Sequence, residues 1–281
     1  MWIPTSLLMA CLMNKLIPQF TEIVWQYFDD NGRHNLPWRL TTDPYKILVS
    51  ELMLQQTQVA RVIPKYEAFI CRWSTAQKLA QAQQSEVLVA WQGLGYNRRA
   101  RFLHQCAQVI AHEYAGVFPQ TRSELEALPG IGPYTAGAIL AFAFNLPVML
   151  IETNVRRVYL HHFFPDEREV ADADIYPYLE KTLPSHRARE WYAALMDYGS
   201  YLKKTEINPN QRSKHYTKQS VFRGSDREIR GAILKALSVR ALTLSGLQKE
   251  FGQFDARRME DQLTALQQEG LVFLNKKKYQ L

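Results

Sequence analysis

Residues 128–158 read LPGIGPYTAGAILAFAFNLPVMLIETNVRRV, and this stretch predicts a tight turn, a helix, a break at Pro147 and a second helix. Gly130 and Gly132 precede an alanine-rich run, and a glycine inside a helix would cost roughly 1 kcal/mol relative to alanine. We therefore expect a turn that leads into a helix N-terminus, where free backbone N–H groups bind anions. Glu152 stands at the start of the second helix. A phosphate-binding turn followed by a placed carboxylate predicts chemistry on a nucleic acid.

Charge is distributed unevenly along the 281 residues, whose net charge is +7. Residues 203–281 hold 16 lysines and arginines against eight aspartates and glutamates, whereas residues 1–202 are close to neutral. The basic C-terminal quarter predicts a polyanionic partner, and we expect double-stranded DNA. A basic face that only contacts solvent is the alternative.

The three cysteines, Cys11, Cys71 and Cys106, are too few and too widely spaced for a disulfide framework or a metal cluster. We expect no bound metal, and buried thiols in a reducing compartment. The first dozen residues are apolar, but they lack the basic start of a signal peptide and are too short to span a membrane. Met13 is an alternative start to Met1. We expect a cytoplasmic monomer without a membrane partner, associated with the nucleoid if the source is bacterial.

Helical periodicity dominates up to residue 202, and no convincing alternating strand precedes residue 270. The sequence predicts an all-α body whose helices are mostly about 8–18 residues long. The polar run KKTEINPNQRSKHYTK predicts a flexible linker, which we place at residues 203–221. In residues 222–281, three short helices and a basic hairpin with its tip at Asn275-Lys276 are typical of a winged helix. Such modules most often bind DNA, and some bind other proteins.

The first half of the chain holds a carboxylate that could act in catalysis, Glu51, and an amide that could recognise a base, Gln56. Glu51 lies on a largely apolar face of a helix predicted for residues 45–55, and partial removal from water favours the protonated form that a general acid needs. A buried ion pair with an arginine is the alternative. Gln56 belongs to a run of amides that can read base edges, although glutamine-rich helix ends are common.

Residues 91–101 read WQGLGYNRRAR. Glycines around an exposed Leu94 and Tyr96 predict a loop that wedges between bases, and the arginines behind it could hold phosphates. Those arginines are Arg98, Arg99 and Arg101. A turn that joins two helices and packs its tyrosine is the alternative.

The segments LPWR, SELMLQQTQV, WQGLGYNRRAR, LPGIGPYTAGAIL and ETNVRRV occur in the order and spacing typical of MutY-type adenine DNA glycosylases. Over residues 17–200 the chain resembles this family of the helix-hairpin-helix glycosylase superfamily. The resemblance implies a two-lobed, all-α body at 17–202, with one lobe built mainly from 41–136 and the other from 17–40 and 137–202. It also implies that DNA binds across the cleft and that the target nucleotide is flipped into a pocket.

The resemblance assigns roles to individual positions. Glu51 matches the acid that protonates the departing base, Glu152 the catalytic aspartate, and Asn154 the asparagine that supports it. Tyr134 stands where bifunctional relatives carry a Schiff-base lysine, which implies cleavage without lyase chemistry. The matches to DNA contacts are Gln56, Leu94 and Tyr96, which are inserted beside the lesion, and Gly130 and Gly132, whose amides bind a phosphate, sometimes with a monovalent cation.

The chain departs from the family pattern in three ways. Glu152 is one methylene longer than the aspartate it replaces, the four cysteines of an iron–sulfur cluster are missing, and a winged helix stands in place of the domain that senses 8-oxoguanine. We therefore expect no iron–sulfur cluster. The sequence predicts a monofunctional DNA glycosylase in base excision repair that removes adenine from a mispair. The alternatives are a glycosylase for damaged, mismatched or modified pyrimidines, and a catalytically weak DNA-binding protein of the same fold.

Overall fold

The computed structural model describes residues 5–205, 208–218 and 221–281. The described chain is helical, as predicted, with a single β-hairpin near its end. The helices are α1 Thr5–Asn31, α2 Pro44–Leu54, α3 Val59–Arg72, α4 Ala76–Ala80, α5 Gln84–Trp91, α6 Arg98–His112, α7 Arg122–Glu126, α8 Pro133–Phe142, α9 Thr153–Phe163, α10 Asp172–Thr182, α11 Ala188–Thr205, α12 Asp226–Leu237, α13 Leu244–Glu250 and α14 Ala256–Gln268. The strands are β1 Phe273–Asn275 and β2 Lys278–Gln280, and 3₁₀ turns cover Pro37–Arg39 and Pro209–Arg212.

The chain forms two compact units. The first contains the chain up to residue 44 together with 120–122 and 132–217, and the second contains 45–119, 123–131 and 218–281. Met1 lies outside the described residues, whereas Met13 falls within helix α1. In the part of the chain that the structure describes, none of the helices combines the length and the apolar character needed to cross a bilayer.

The core of the first unit is aromatic and lies between helices α1, α9 and α11. The Phe20 ring packs against the rings of Tyr159, Phe163 and Trp191 at centroid distances of 5.2, 4.9 and 5.9 Å. Tyr159 and Trp191 are fully buried. Large aromatic side chains bury much apolar area each, so this cluster fixes α9 against its two neighbours.

One buried carboxylate fastens the loop after α1 to helix α11. Asp197 accepts hydrogen bonds from the Arg33 backbone N–H at 2.8 Å and from Arg39 at 2.7 and 2.9 Å. Burial by itself would raise the pKa of Asp197, but the hydrogen bonds and charges of Arg39 and Arg33 outweigh it and lower the pKa overall.

In the second unit, helices α4 and α5 pack on α6 around Leu79, Trp91 and Leu103, which are all fully buried. The Trp91 indole N–H donates to the Gly95 carbonyl at 3.2 Å. This bond ties the end of α5 to the loop that follows it.

The C-terminal part of the second unit has the predicted winged-helix pattern of three helices and a hairpin. Helix α12 packs on α14, and the Asp255 carboxylate caps α14 by accepting from the Arg258 backbone N–H at 2.8 Å. Strands β1 and β2 pair antiparallel, and Leu242 adds a one-residue bridge to Tyr279.

The tip of the hairpin lies one residue later than predicted. Lys276 and Lys277 both have positive φ, at 46° and 63°, so they form the two-residue turn. Two residues in the left-handed backbone region match the twist of the flanking strands. The turn therefore begins after Asn275 rather than at it.

The winged helix is joined to helices α5 and α6 within the second unit. The Gln84 side-chain amide donates to the Gly270 carbonyl at 2.7 Å, and Arg101 donates to the Glu269 carbonyl. The Arg101 side chain is therefore bound to a backbone carbonyl and is not free for the phosphate contact that the sequence predicted.

The structure differs from the predicted linker at residues 203–221. Helix α11 continues to Thr205, residues 208–213 pack within the first unit with Pro209 and Asn210 buried, and Ser213 bridges Val170. The side chains of Asn208, Asn210 and Arg212 hydrogen-bond to α9 and the residue that follows it, so these three have internal partners. Residues 214–218 are exposed. Residues 206–207 and 219–220 lie outside the described residues.

We expect Asp197→Asn to lower the free energy of unfolding by about 3 kcal/mol at pH 7, the lower end of the range for a broken buried pair, because Arg33 is 38% exposed. Since the pKa of Asp197 is depressed, its contribution is present above the unfolded value of about 3.9 and is lost as the pH falls through the folded value. The variant should therefore lack this part of the acid dependence. Urea denaturation at pH 7 and below pH 4 measures both effects. Asp30→Asn, an exposed position, is the control, and equal stability of the two variants would contradict the expectation.

Candidate active site

Glu152 ends an extended segment and caps helix α9. Its backbone is extended at φ −123° and ψ −178°, and one carboxylate oxygen accepts from the backbone N–H groups of Asn154 at 2.6 Å and Val155 at 2.8 Å. The other oxygen accepts from the Asn154 side-chain amide at 3.2 Å. A carboxylate at this position satisfies otherwise unpaired N–H groups and is stabilised by the helix dipole.

The surroundings of Glu152 both raise and lower its pKa. Burial raises the pKa of Glu152, and the N–H groups of Val155 and Asn154, with the positive charges of Arg157 and Arg156, oppose that rise without cancelling it. Arg156 is itself paired with Asp172 at 2.6 and 2.7 Å. The result is a carboxylate that is held in its ionised geometry but gains a proton more readily than a glutamate in water.

Asn154 and Arg157 connect Glu152 to helix α11. The buried Arg157 donates to the Asn154 side-chain oxygen and to the Gly199 carbonyl, both at 2.7 Å. A Cβ atom at Gly199 would lie 2.8 Å from the Cβ of Asn154. The absence of a side chain at Gly199 therefore lets α11 approach the start of α9.

The two glycines before helix α8 differ in whether the structure requires a glycine at that position. Gly130 adopts φ +73°, and a Cβ there would lie 2.6 Å from the Cγ of Phe102. Gly132 has an ordinary φ of −96° at the N-cap of α8, and a Cβ added to it would meet nothing within 4 Å. The predicted turn and helix start are confirmed, with Pro133 as the first helical residue. Tyr134 follows in the first turn, partly buried against the core of the first unit.

Glu51 lies in helix α2 of the second unit and is 7% exposed. Both flanking residues, Ser50 and Leu52, are buried as well, so the carboxyl group stands in a largely apolar helix. This agrees with the burial expected from its apolar helix face.

Leu94, Tyr96 and the residue before Gln56 are brought together around a buried arginine. Arg99 donates to the carbonyls of Gln55 at 2.8 Å, Leu94 at 3.1 Å and Gly95 at 2.9 Å, and its guanidinium lies 5.6 Å from the centroid of the Tyr96 ring. One guanidinium thus ties the end of α2 to the loop before α6.

Arg99 was predicted to hold phosphates, and that prediction is wrong because the side chain is only 7% exposed and already donates to carbonyls. Burial lowers the pKa of Arg99 to about 10. Leu94 was expected to be exposed, but it is 4% exposed, packed where the loop turns back on α5. Tyr96 is 39% exposed, so it is the accessible side chain of this loop.

Two of these side chains have backbones outside the usual region for residues other than glycine. Gln56 has φ 56° and Tyr96 has φ 46°. A non-glycine residue in the left-handed region costs about 1–3 kcal/mol and is often found at functional sites. The hydrogen bonds of Arg99 to the adjoining carbonyls help to hold both loops in this conformation.

Comparisons with known proteins agree with this architecture. Residues 49–181 match the family described as HhH-GPD superfamily base excision DNA repair protein. An adenine DNA glycosylase of Mycolicibacterium smegmatis is 41% identical over 227 residues, which cover 74% of this chain and 77% of that protein. One from Buchnera aphidicola is 35% identical over 184 residues, which cover 65% and 52%. A solved thermostable thymine-DNA glycosylase has a TM-score of 0.61 at 24% identity, covering 71% of this chain and 93% of that one, and shows the same fold.

The fold is therefore that of the helix-hairpin-helix glycosylases. The chain belongs to the adenine DNA glycosylase family within the HhH-GPD superfamily of base excision DNA repair proteins. It spans about half the length of several relatives that it matches, with 52%, 53% and 54% of them covered.

The residues of this chain do not fit the iron–sulfur cluster whose four cysteines belong to the family pattern. A four-iron cluster takes four cysteine thiolates, and the chain has three cysteines in total. None lies in the segment after α11, and Cys71 and Cys106 belong to the second unit. Among residues 5–205, 208–218 and 221–281, no group of three or more His, Cys, Asp or Glu side chains is arranged to hold a metal ion.

We expect Gly130→Ala to destabilise the protein by about 2 kcal/mol or more, because the new Cβ combines a left-handed backbone with overlap on Phe102. Gly132→Ala is the matched control, since its φ suits any residue and the space beside it is open. Chemical denaturation of both variants measures the difference. Equal losses in the two would refute the distinction between the glycines.

Proposed function

We propose that the chain is a monofunctional DNA glycosylase that flips a base out of duplex DNA and hydrolyses its N-glycosidic bond, with adenine in a mispair as the substrate. The observation that carries this proposal is the Glu152 carboxylate, which both backbone and side-chain donors orient at the start of α9. Membership of the adenine DNA glycosylase family supports the choice of base. We also propose that the enzyme is a cytoplasmic monomer, associated with the nucleoid if the source is bacterial.

The chemistry assigns opposite tasks to two carboxyl groups. Breaking an N-glycosidic bond builds positive charge on the sugar and negative charge on the leaving base. In this proposal the buried Glu51 donates a proton to the base, and Glu152 in its ionised form stabilises the sugar cation or adds to it. Glu51 is buried within α2, whereas Glu152 accepts hydrogen bonds from two backbone N–H groups and an amide, and these bonds suit its ionised form.

Asn154 and Tyr134, both in the first unit, have supporting roles in the proposal. The Asn154 amide donates to the second Glu152 oxygen, so it orients the carboxylate toward one direction of attack. Tyr134 offers a phenol rather than an amine, and a phenol cannot form a Schiff base with the sugar. Hydrolysis without strand cleavage by that route follows.

The longer side chain at position 152 is accommodated by its own helix. Its carboxylate reaches the N–H groups of Asn154 and Val155, so part of its added reach is used in capping α9. This geometry favours one alternative as well, a DNA-binding protein of weak activity, because both oxygens already have partners. A base-release assay distinguishes the two.

We expect Glu152→Gln and Glu51→Gln each to lower the rate of base release by about 100-fold or more. The first removes the negative charge that stabilises the sugar cation, and the second removes the proton donor to the leaving base. The rate of the unaltered enzyme should fall with acid at a pH above the ordinary glutamate value of about 4.3, since burial raises the pKa of Glu152 and the ionised form is active. Single-turnover assays should use duplexes with A opposite 8-oxoguanine, A or T opposite G, and modified pyrimidines.

Glu67→Gln, an exposed position on α3, is the control and should release base normally. Full activity of Glu152→Gln would refute its role. Binding without release on every duplex would favour the weakly active DNA-binding protein, and release only from pyrimidine duplexes would change the substrate class. Trapping with borohydride should yield no covalent complex, since Tyr134 cannot form a Schiff base.

The hairpin of the winged helix is the proposed additional DNA contact. Lys276, Lys277 and Lys278 are exposed around its tip, and exposed lysines bind backbone phosphate with release of counterions.

We expect replacement of Lys276, Lys277 and Lys278 by alanine to weaken DNA binding and to reduce the slope of log K against log salt by about 2–3, near 0.9 for each phosphate contact. Fluorescence anisotropy across a salt series measures both quantities. The triple arginine variant keeps the charge and should bind normally. An unchanged slope in the alanine variant would mean that the hairpin does not contact DNA.

A further inference from the structure

Residues 208–213, here called the α9-contact segment, hydrogen-bond to helix α9 at both of its ends. At the start of the helix, the Asn208 side-chain oxygen accepts from Arg157 Nε at 3.0 Å, and the Asn210 side-chain amide donates to the Thr153 carbonyl at 2.9 Å. Asn210 is 5% exposed. These contacts reach Thr153, which directly follows Glu152, and Arg157, which lies one helical turn further along α9.

At the far end of α9, Arg212 is the contact residue. Its guanidinium donates to the Phe164 carbonyl at 2.6 Å, the Pro165 carbonyl at 2.5 Å and the Leu160 carbonyl at 3.4 Å. Carbonyls at a helix C-terminus lack partners within the helix, and a cation there also suits the helix dipole. Arg212 thus stabilises α9 without touching the residues near Glu152.

A continuous chain of hydrogen bonds runs from Asn208 to the carboxylate. Asn208 accepts from Arg157, Arg157 donates to Asn154, and Asn154 donates to Glu152. The Arg157 guanidinium also donates to the Gly199 carbonyl, so Asn208 and α11 together fix its plane. A planar guanidinium with several fixed acceptors has little rotational freedom. Because Arg157 is fixed in this way, its hydrogen bond also restricts the side chain of Asn154.

We propose that Asn208 is a positioning residue that holds the Glu152 carboxylate in its working orientation through Arg157 and Asn154. The proposal rests on the proposed role of Glu152. A glutamate has one more rotatable bond than an aspartate, so it needs more external orientation to keep its oxygens in one place. The α9-contact segment supplies part of that orientation.

Three variants separate positioning from stability. Asn208→Ala removes the acceptor for Arg157, Asn208→Asp keeps an oxygen in its place, and Arg212→Ala removes contacts only at the other end of α9. We expect Asn208→Ala to slow single-turnover base release by on the order of 10- to 100-fold while DNA affinity changes little. Asn208→Asp should restore most of the rate. Arg212→Ala should lower the melting temperature but release base at the unaltered rate below it.

A second readout does not depend on activity. Carbon-13 NMR of labelled glutamate carboxyls, with the Glu152 signal assigned by its loss in Glu152→Gln, measures the protonation of Glu152 directly. In Asn208→Ala the guanidinium of Arg157 is less firmly held near the carboxylate, so the titration of Glu152 should move to higher pH. Arg156, the other facing charge, remains paired with Asp172 in each variant. Arg212→Ala should leave the titration in place.

The outcomes distinguish this proposal from the proposed function. If Asn208→Ala leaves both the titration and the rate unchanged, or if Arg212→Ala alters both equally, Asn208 has only a structural role and the proposal is overturned. If the unaltered protein releases no base while the titration still moves in Asn208→Ala alone, the orientation of Glu152 by Asn208 is upheld and the proposed function fails.

Discussion

The N–H groups at the start of helix α9 require an acceptor, and Glu152 provides it. We assign the same carboxylate to stabilise the positive charge on the sugar, so one side chain both caps the helix and takes part in the proposed catalysis. Capping favours the ionised form, and burial favours the protonated form. The balance leaves an oriented carboxylate whose pKa is raised above that of a glutamate in water. The hydrogen bonds from Asn154 to Glu152 and from Arg157 to Asn154 and Gly199 support this helix start.

Buried arginines hold separate segments together in both units. Arg157 holds the start of α9 and Arg39 holds Asp197 in the first unit, while Arg99 joins two loops in the second. Each satisfies carbonyl or carboxylate oxygens that would be costly to leave without partners. Part of the positive charge of the chain is therefore internal. The net charge of +7 points to a polyanionic partner only through the cations that stay exposed.

The winged helix illustrates the same division between internal and external charge. Arg101 and Gln84 hold the carbonyls of Glu269 and Gly270, which attaches the module to helices α5 and α6. The lysines at the hairpin tip face solvent, and their turn is fixed by two left-handed residues. Within the second unit, the exposed Tyr96 also receives a hydrogen bond from Arg227 of helix α12 at 3.2 Å. The module is thus attached on one side and exposed on the other.

The sequence by itself determined the helices, the glycine turn before α8, the winged-helix order and the residue types of the site. Each of these is a local pattern, because helical periodicity, a glycine beside a proline and a capping carboxylate act over a few residues. Tertiary structure decided that Arg99 is internal, that Leu94 is buried and that residues 208–213 pack against α9. Asn208 is 51 positions from its partner Arg157, and Gln55 is 44 positions from Arg99, and no periodic pattern encodes such a pairing. A polar side chain looks the same in sequence whether its partner is water or a distant backbone carbonyl, and only folding selects between them.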